Sequence, residues 1–282
     1  MKVLVTGATG FIGNYVVNEL LRRNCEVVAT SRTPPDEKVE WLPKVIYKPL
    51  DISNTNNNEN LFEYFEQPNC LIHLAWEGLP NYKSEHHLTH NLPSQKWFVE
   101  KLISEGVKNI NIIGTCFEYG MQEGELKEDV LAIPDNPYAK AKNELRIFVE
   151  DLSKEFSFSF KWLRLFYMYG KGQAANSLIP QLEAALEKGD ASFNMSGGEQ
   201  VRDFLPVKKV ATYIVDTALQ NEMNGVINIC SNQPVSVKEF VLNYLEQKNK
   251  TIRLNLGYYP YADFEPMRFW GNNEKLKSIQ KK

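Results

Sequence analysis

The chain has 282 residues, of which 43% are hydrophobic and 24% are charged, and its formal net charge at pH 7 is −3. This balance argues against nucleic acid as a partner, and no apolar run reaches the roughly 18 residues that cross a bilayer. The cysteines stand apart at positions 25, 70, 116 and 230, so we expect neither disulfides nor a metal site. Because an apolar strand begins beside Met1, we expect no signal peptide and a cytoplasmic location.

The first motif is a glycine-rich turn between a strand and a helix. An apolar strand at 3–5 is followed by Gly7, Gly10 and Gly13, and a helix is predicted at 11–23. Gly7 permits the turn, Gly10 allows the backbone to approach a pyrophosphate, and Gly13 lets the helix pack on the sheet. The spacing is G-x-x-G-x-x-G, which predicts dinucleotide binding, with an ordinary strand-to-helix connection as the alternative.

The segments that follow alternate between strand and helix, as in a doubly wound parallel sheet. Strands are predicted at 26–30, 45–47, 70–75, 107–113 and 158–166, helices at 61–65, 92–105 and 138–155, and an asparagine-rich loop at 54–60. The sequence therefore predicts an α/β fold, a Rossmann-like doubly wound parallel sheet with a smaller mixed C-terminal domain. We predict a dinucleotide-binding domain at 1–166 and 207–231, and a substrate-binding domain at 167–206 and 232–282.

Polar residues at the ends of the predicted strands indicate which dinucleotide is bound. Ser31 and Arg32 follow the second strand, where an NAD enzyme usually has an acidic residue against the ribose. An arginine there offers a fork to a 2′-phosphate, which predicts NADP(H) over NAD(H); a solvated surface arginine is the alternative. Asp51, after the third strand, is placed for the adenine edge or for capping a turn. His73 lies within an apolar strand and is assigned no role.

The residues that predict proton transfer are Tyr138 and Lys142, four apart on one predicted helix face. A free phenol, with a pKa of about 10, is a poor acid at neutral pH, and a neighbouring ammonium is expected to lower that pKa. Thr115 follows the fifth predicted strand, from which its hydroxyl can donate to a substrate carbonyl beside Tyr138. These three side chains form the predicted catalytic group.

The order of these motifs resembles the extended short-chain dehydrogenases/reductases that act on nucleotide sugars, and the resemblance covers nearly the whole chain. The matching segments are 6–13, 51–52, 73–75, Thr115 with 119–120, Tyr138 with Lys142, Arg164 with 169–170, and 197–204. The resemblance implies that Tyr138 is the acid–base group, that Lys142 activates it and anchors the nicotinamide ribose, and that Thr115 completes the group. A homodimer through helices of the first domain is a further implication.

The matched segments also supply expected cofactor and substrate contacts. For the cofactor these are Thr9, Phe11, Ile12, Ile52, Leu74 and Ala75. The resemblance implies that Arg202 and Arg268 hold the substrate diphosphate, with an Arg202–Asp203 ion pair and a surface charge as the respective alternatives. Asn176 is predicted to hold substrate or to cap a helix. We predict that Trp76, with Glu77, Tyr82 and His86 or His87, forms a loop over the sugar or, alternatively, a subunit contact.

Departures from the family pattern favour one reaction. Cys116 and Phe117 stand where sugar 4,6-dehydratases carry Asp-Glu, which argues against dehydration. Phe117 also replaces the cysteine of the epimerase-reductases that make GDP-fucose, and Tyr167 replaces a family asparagine. We therefore predict NADPH-dependent reduction of a nucleotide-linked 4-keto-6-deoxyhexose, similar to the enzymes that convert dTDP-4-keto-6-deoxyglucose to dTDP-fucose. A 4-epimerase holding NAD and a non-catalytic dinucleotide sensor stay open as alternatives.

Overall fold

The computed structural model describes residues 1–56 and 59–280. Residues 57 and 58 of the predicted asparagine-rich loop, and 281 and 282 of the predicted C-terminal domain, lie outside the described residues. The strands are β1 Lys2–Thr6, β2 Glu26–Thr30, β3 Ile46–Tyr47, β4 Cys70–His73, β5 Asn109–Thr115, β6 Gly124–Leu126, β7 Ser159–Leu165, β8 Tyr167–Tyr169, β9 Ser192–Asn194, β10 Val201–Pro206, β11 Gly225–Ile229, β12 Pro234–Ser236, β13 Arg253–Asn255 and β14 Phe269–Gly271. The helices are α1 Phe11–Arg22, α2 Leu61–Tyr64, α3 Leu92–Glu105, α4 Pro137–Glu155, α5 Leu178–Lys188, α6 Val207–Leu219, α7 Val237–Gln247 and α8 Glu274–Gln280.

The centre of the molecule is a seven-stranded parallel sheet in the order β11-β7-β5-β4-β1-β2-β3. The strand order reverses between β1 and β4, because the chain leaves β1 for β2 on one side and later returns to β4 on the other. In such sheets a crevice opens beyond the carboxyl ends of the strands at this point. The predicted α/β Rossmann-like fold is confirmed.

Both faces of the large sheet are buried under helices. Along β1 the side chains alternate: Val3 and Val5 face the layer of α1 and α6, where Leu20 packs, whereas Leu4 faces the layer of α3 and α4, where Phe98 packs. All five side chains are fully buried. Burying one such apolar side chain contributes about 1.5–3 kcal/mol, so these two clusters hold the strand ends rigidly in place.

The smaller sheets are mixed, as predicted for the C-terminal part. Strand β10 pairs with β8 in parallel and with β12 in antiparallel orientation, while β13 pairs with β9 and β14 with β6. Helix α6 packs against α1, and β11 pairs with β7 in the large sheet. The division into domains at 166, 206 and 231 stays a prediction. Among the described residues, no helix has both the length and the apolar character to cross a membrane.

Two predicted strands had boundaries that were wrong by two residues, and both errors bear on the site. The fifth strand, predicted at 107–113, is Asn109–Thr115, because its ladder with β7 continues to the pair Thr115 and Leu165. Thr115 therefore ends this strand rather than following it. The fourth strand, predicted at 70–75, ends at His73, since the backbone N–H groups of Leu74 and Ala75 donate to the hydroxyl of Thr6.

Candidate active site

The glycine turn after β1 brings backbone close to backbone. Gly7 has φ +63°, and a Cβ there would lie 3.0 Å from the backbone nitrogen of Ala75. A Cβ on Gly13 would collide with the carbonyl oxygen of Gly7, and α1 begins at Phe11 directly after Gly10. Free N–H groups at a helix N-terminus attract phosphate, so this cradle fits the pyrophosphate of a dinucleotide.

Two adjoining cavities run along this turn. The first, called the Arg32 cavity, has a volume of about 300 Å³, and the second, the Tyr138 cavity, about 410 Å³. The predicted cofactor residues that line the Arg32 cavity are Gly7, Thr9, Gly10, Ser31, Arg32, Asp51, Ile52, Leu74 and Ala75. Those that line the Tyr138 cavity are Gly7, Gly10, Phe11, Ile12, Gly13, Leu74, Tyr138 and Lys142. Trp76 lies between the cavities and lines both.

Charged residues of the Arg32 cavity have partners within the protein. The Arg32 side chain is 58% exposed and donates from Nη1 to Glu77 Oε2 at 2.7 Å. Asp51 accepts hydrogen bonds from the Ser53 hydroxyl at 2.7 Å and backbone N–H at 3.0 Å, so it caps a turn while also lining the cavity. These hydrogen bonds, with a smaller contribution from the charge of Arg32, lower the Asp51 pKa although burial opposes them.

The predicted catalytic residues meet in the Tyr138 cavity. Thr115 ends β5, and Tyr138 and Lys142 lie in the first two turns of α4, which begins at Pro137. Asn136 caps this helix by accepting the Ala139 N–H at 3.0 Å, which orients its first turn. Thr115 and Tyr138 are each 7% exposed and Lys142 is 3% exposed. A strand end and a capped helix thus place these three buried side chains in the wall of one cavity.

Burial dominates the electrostatics of this group. It raises the pKa of Tyr138, and the nearby Thr115 hydroxyl opposes this rise only weakly. The prediction of a lowered phenol pKa was wrong for this structure, because burial of the phenol raises it. The Lys142 ammonium donates to the carbonyl oxygen of Ile113 at 2.9 Å and lies 3.9 Å from the centre of the Trp76 ring. Burial lowers the pKa of Lys142 itself to about 7.

Aromatic rings surround the Tyr138 phenol. Trp76 meets it edge-on at 5.9 Å between ring centres, and Tyr82 lies at 5.5 Å. The Trp76 indole N–H donates to Nδ1 of His87 at 3.2 Å, while Nε2 of His87 lies 2.9 Å from the carbonyl oxygen of Asn81. Of the predicted sugar loop, the structure therefore places Trp76 and Tyr82 in the cavity wall and His87 behind them.

Glu118, for which the sequence predicted no role, fixes the position of Thr115. Its fully buried carboxylate accepts the backbone N–H of Thr115 at 2.8 Å, the indole N–H of Trp162 at 2.9 Å and Nε of Arg164 at 2.8 Å. The signal was present as the Thr-x-x-Glu pattern of a capping box over the 3₁₀ turn Cys116–Tyr119.

A third cavity of about 280 Å³, the Arg202 cavity, shares Tyr82, Tyr167 and Gln173 with the Tyr138 cavity. Arg202 is only 2% exposed and donates from Nη2 to Glu265 at 2.9 Å. The alternative Arg202–Asp203 ion pair was wrong.

Asp203 does not pair with Arg202 but accepts hydrogen bonds from the backbone N–H groups of Ser231 and Asn232, at 2.7 and 2.8 Å.

Arg268 and Asn176 are exposed and do not line these three cavities. Ser177, rather than Asn176, occupies the capping position of α5. The structure thus brings only Arg202 of the predicted diphosphate ligands to the cavities.

Comparison with known proteins places this geometry in a family. Residues 3–230 match the NAD dependent epimerase/dehydratase family. The chain is 28% identical over 274 residues to a dTDP-6-deoxy-L-talose 4-dehydrogenase (NAD(+)) of Aggregatibacter actinomycetemcomitans, with 96% of this chain and 99% of that protein covered. It is 27% identical over 288 residues to a GDP-6-deoxy-D-talose 4-dehydrogenase of the same organism, with 99% and 91% covered.

Solved structures show the same architecture. MoeE5 in complex with UDP-glucuronic acid and NAD superposes with a TM-score of 0.80 at 26% identity, covering 99% of this chain and 92% of that one. The UDP-glucuronic acid 4-epimerase from Bacillus cereus superposes with a TM-score of 0.84 at 23% identity, covering 100% and 93%, and shows the fold alone. Since the family match spans most of the chain, this protein belongs to the NAD-dependent epimerase/dehydratase family, the extended short-chain dehydrogenases/reductases, and is an NAD(P)-dependent enzyme.

Proposed function

We propose that this enzyme uses NADPH to reduce the C4 keto group of a nucleotide-linked 4-keto-6-deoxyhexose, and that it converts dTDP-4-keto-6-deoxyglucose to dTDP-fucose. The observation that carries the proposal is that the buried side chains of Thr115, Tyr138 and Lys142 line one cavity together with Gly10 and Gly13 of the glycine turn. The names of two relatives, both 4-dehydrogenases of 6-deoxyhexoses, support a reaction at C4. The proposed location is the cytoplasm, and the product is proposed to serve surface polysaccharide synthesis.

The residues of the Tyr138 cavity fit the proton half of such a reduction. A bound nicotinamide supplies the hydride, so C4 gains a C–H bond and its oxygen needs a proton. The high pKa of Tyr138 keeps its phenol protonated until that negative charge develops, and the phenol then donates the proton to the C4 oxygen. The Thr115 hydroxyl accepts the Phe117 N–H at 3.3 Å, which leaves its own hydrogen available to donate to the same oxygen.

The proposed substrate site continues from the Tyr138 cavity into the Arg202 cavity. Tyr82, Tyr167 and Gln173 line both, so a molecule that reaches Tyr138 can extend between them toward Arg202. A guanidinium is suited to a diphosphate, but Arg202 is held by Glu265 and would exchange that partner on binding. Arg268 has an exposed side chain, and its proposed role requires the chain around it to close over the ligand.

The test is nicotinamide absorbance during incubation with dTDP-4-keto-6-deoxyglucose. NADPH and NADH are compared, CDP- and GDP-linked ketosugars serve as controls, and dTDP-6-deoxy-L-talose with NADP+ or NAD+ tests the oxidative direction. We expect rapid NADPH oxidation with the dTDP ketosugar. If no ketosugar is reduced with either cofactor, the proposal is wrong.

The second candidate is a nucleotide-sugar 4-epimerase that retains NAD. The observation in its favour is the Arg32–Glu77 ion pair, which occupies the arginine that would otherwise be free for a 2′-phosphate. Such an enzyme would purify with NAD bound and would interconvert two sugar nucleotides without added cofactor. Absorbance and mass spectrometry of the denatured protein's supernatant distinguish the two candidates.

A further inference from the structure

The charged residues of the Arg32 cavity do not simply favour a 2′-phosphate. Arg32, Asp51 and Glu77 are the charged residues among those that line it, one cation against two anions. The Arg32 fork is joined to Glu77 at 2.7 Å, and its charge also contributes to the low pKa of Asp51. A cofactor phosphate at Arg32 would therefore meet two carboxylates as well as one guanidinium.

Glu77 is held in this position by the chain around it. Glu77 directly follows Trp76, whose ring is fixed by the hydrogen bond from its indole N–H to His87. The backbone carbonyl of Glu77 accepts a hydrogen bond from the Asn91 side-chain amide at 2.9 Å. Nε2 of His86 lies 3.8 Å from the second oxygen of the Glu77 carboxylate. Glu77 is thus presented to Arg32 by a constrained loop, although its own side chain is 42% exposed.

The two cofactors make opposite demands on this carboxylate. A 2′-phosphate carries up to about two negative charges, so it must displace Glu77 from Arg32 and then lie beside the released carboxylate. A ribose 2′-hydroxyl carries no charge and can donate a hydrogen bond to a carboxylate, as acidic residues do in NAD enzymes. Glu77 therefore penalises NADP(H) and leaves NAD(H) unaffected or improved.

We infer that Glu77 is a specificity-determining residue, which competes with the 2′-phosphate for Arg32 and so reduces the preference of the site for NADP(H) over NAD(H). The inference rests on the proposed function in one respect, namely that a dinucleotide binds with its adenosine end in the Arg32 cavity. It predicts that removing the Glu77 charge produces the NADP(H) preference that Arg32 alone would give.

The test is calorimetric binding of NADP+, NAD+, 2′,5′-ADP and 5′-AMP to the wild type, Glu77→Gln and Glu85→Gln. Glu85 is an exposed carboxylate in the same stretch of chain that does not line the cavity, so its substitution makes the same charge change away from the site. We expect Glu77→Gln to shift the NADP+/NAD+ affinity ratio toward NADP+ by about fivefold, since exposed ion pairs are weak, and Glu85→Gln to leave it unchanged. The two fragments should show the same shift, and high salt should reduce it.

A double-mutant cycle with Arg32→Gln tests whether Glu77 affects cofactor binding through its ion pair with Arg32. If Glu77 acts mainly by occupying Arg32, the gain from Glu77→Gln should be much smaller in the Arg32→Gln background, where only the repulsion between carboxylate and phosphate remains. A ratio unmoved by Glu77→Gln, or a gain of the same size without Arg32, would overturn the inference, as would a wild type that binds none of the four nucleotides. Because binding is measured without a ketosugar, failure of the proposed reduction would appear separately, as normal binding without turnover.

Discussion

The side chains around the Tyr138 cavity and those inside the outer lobe are both buried, but the first set includes charged groups and the second is apolar. The outer lobe consists of α5, β9, β12, α7 and β13. The wall of the Tyr138 cavity contains the buried ammonium of Lys142, and a buried ion pair, Glu118–Arg164, lies directly behind Thr115 of that wall. The outer lobe encloses apolar side chains, with Phe240 stacked on Phe204 of β10 at 3.9 Å between ring centres. Burial thus shifts the pKa values of Tyr138 and Lys142 in the first region. In the second it mainly excludes water from apolar side chains, and it raises the pKa of the Tyr244 phenol at their edge.

This difference has a consequence for substitutions. Buried charges are sensitive to the loss of a single partner, because the other charge is left without solvent or counter-ion. Apolar packing is lost in proportion to the volume removed. We therefore expect changes at the Tyr138 cavity to alter rate and pH dependence, and comparable changes in the outer lobe to alter stability alone.

The largest expected effect is that of Tyr138→Phe. Removing the phenol hydroxyl removes the proposed proton donor while the ring keeps its contacts with Trp76 and Tyr82. We expect kcat for ketosugar reduction to fall by at least about 10³-fold, which lies within the contribution of general acid catalysis. Steady-state kinetics measure the loss, and calorimetry should show dinucleotide affinity within threefold of the wild type.

The matched control is Tyr244→Phe in the outer lobe, where the hydroxyl donates to Glu183 at 2.5 Å. It deletes the same atom, and we expect unchanged kcat with a small loss of stability, about 1 kcal/mol. Retention of reductase activity by Tyr138→Phe would exclude the phenol as the proton donor. It would also contradict the expectation that substitutions at the Tyr138 cavity alter the rate more than those in the outer lobe.

The next largest effect is expected for Glu118→Ala. This substitution leaves Arg164 buried without its counter-ion and leaves the backbone N–H of Thr115 without its acceptor. The free energy of unfolding should fall by about 3–5 kcal/mol, as for other broken buried pairs. Urea unfolding measures this loss.

Glu118→Gln separates charge from hydrogen bonding, because its amide oxygen can still accept the Thr115 N–H. We expect it to lose less stability than Glu118→Ala. In the outer lobe, Glu183→Ala removes a partly exposed carboxylate and should cost about 1 kcal/mol. Equal losses at positions 118 and 183 would contradict the idea that the cavity wall depends on a buried charge.

What could be predicted from the sequence follows the same division. The glycine turn, the alternating strands and the Tyr138–Lys142 spacing are local patterns, and each was placed along the chain to within two residues. The Arg32–Glu77 pair joins residues 45 positions apart, and Arg202–Glu265 joins residues 63 positions apart. No local pattern encodes such contacts, because they depend on how distant loops meet beyond the strand ends. The sign of the Tyr138 pKa shift was missed for a related reason, since spacing shows a neighbouring charge but does not show burial.

Lys142 provides a pH-dependent test. Burial lowers its pKa from 10.5 to about 7, so between about pH 7 and 10 the unfolded chain binds a proton that the folded chain does not. The cost of this burial is present in full below pH 7 and disappears as pH rises through that window, so it lowers the free energy of unfolding most at low pH. Lys142→Met should therefore gain stability over the wild type at pH 6.5 and lose most of that advantage by pH 9.5, a change of about 3 kcal/mol.

The measurement is urea unfolding of both proteins at the two pH values. Lys154→Met, on the same helix, is the control, because Lys154 is largely exposed beside Asp151. Its stability difference from the wild type should vary little with pH. An advantage of Lys142→Met that stays constant between pH 6.5 and 9.5 would show that Lys142 is not a buried group with a lowered pKa.

The smallest effect compares two helix caps. Asn136 caps α4 by accepting the Ala139 N–H at 3.0 Å, and Ser236 caps α7 of the outer lobe by accepting the Glu239 N–H at 3.1 Å. Replacing either residue with alanine should lower the free energy of unfolding by about 1 kcal/mol, because each leaves one helix N–H without its acceptor. Only α4 carries Tyr138, in the turn that its cap orients. Asn136→Ala should therefore also reduce kcat, by about fivefold, whereas Ser236→Ala should leave kcat unchanged. Equal kcat values for the two variants at matched stability would mean that catalysis tolerates movement of the α4 N-terminus.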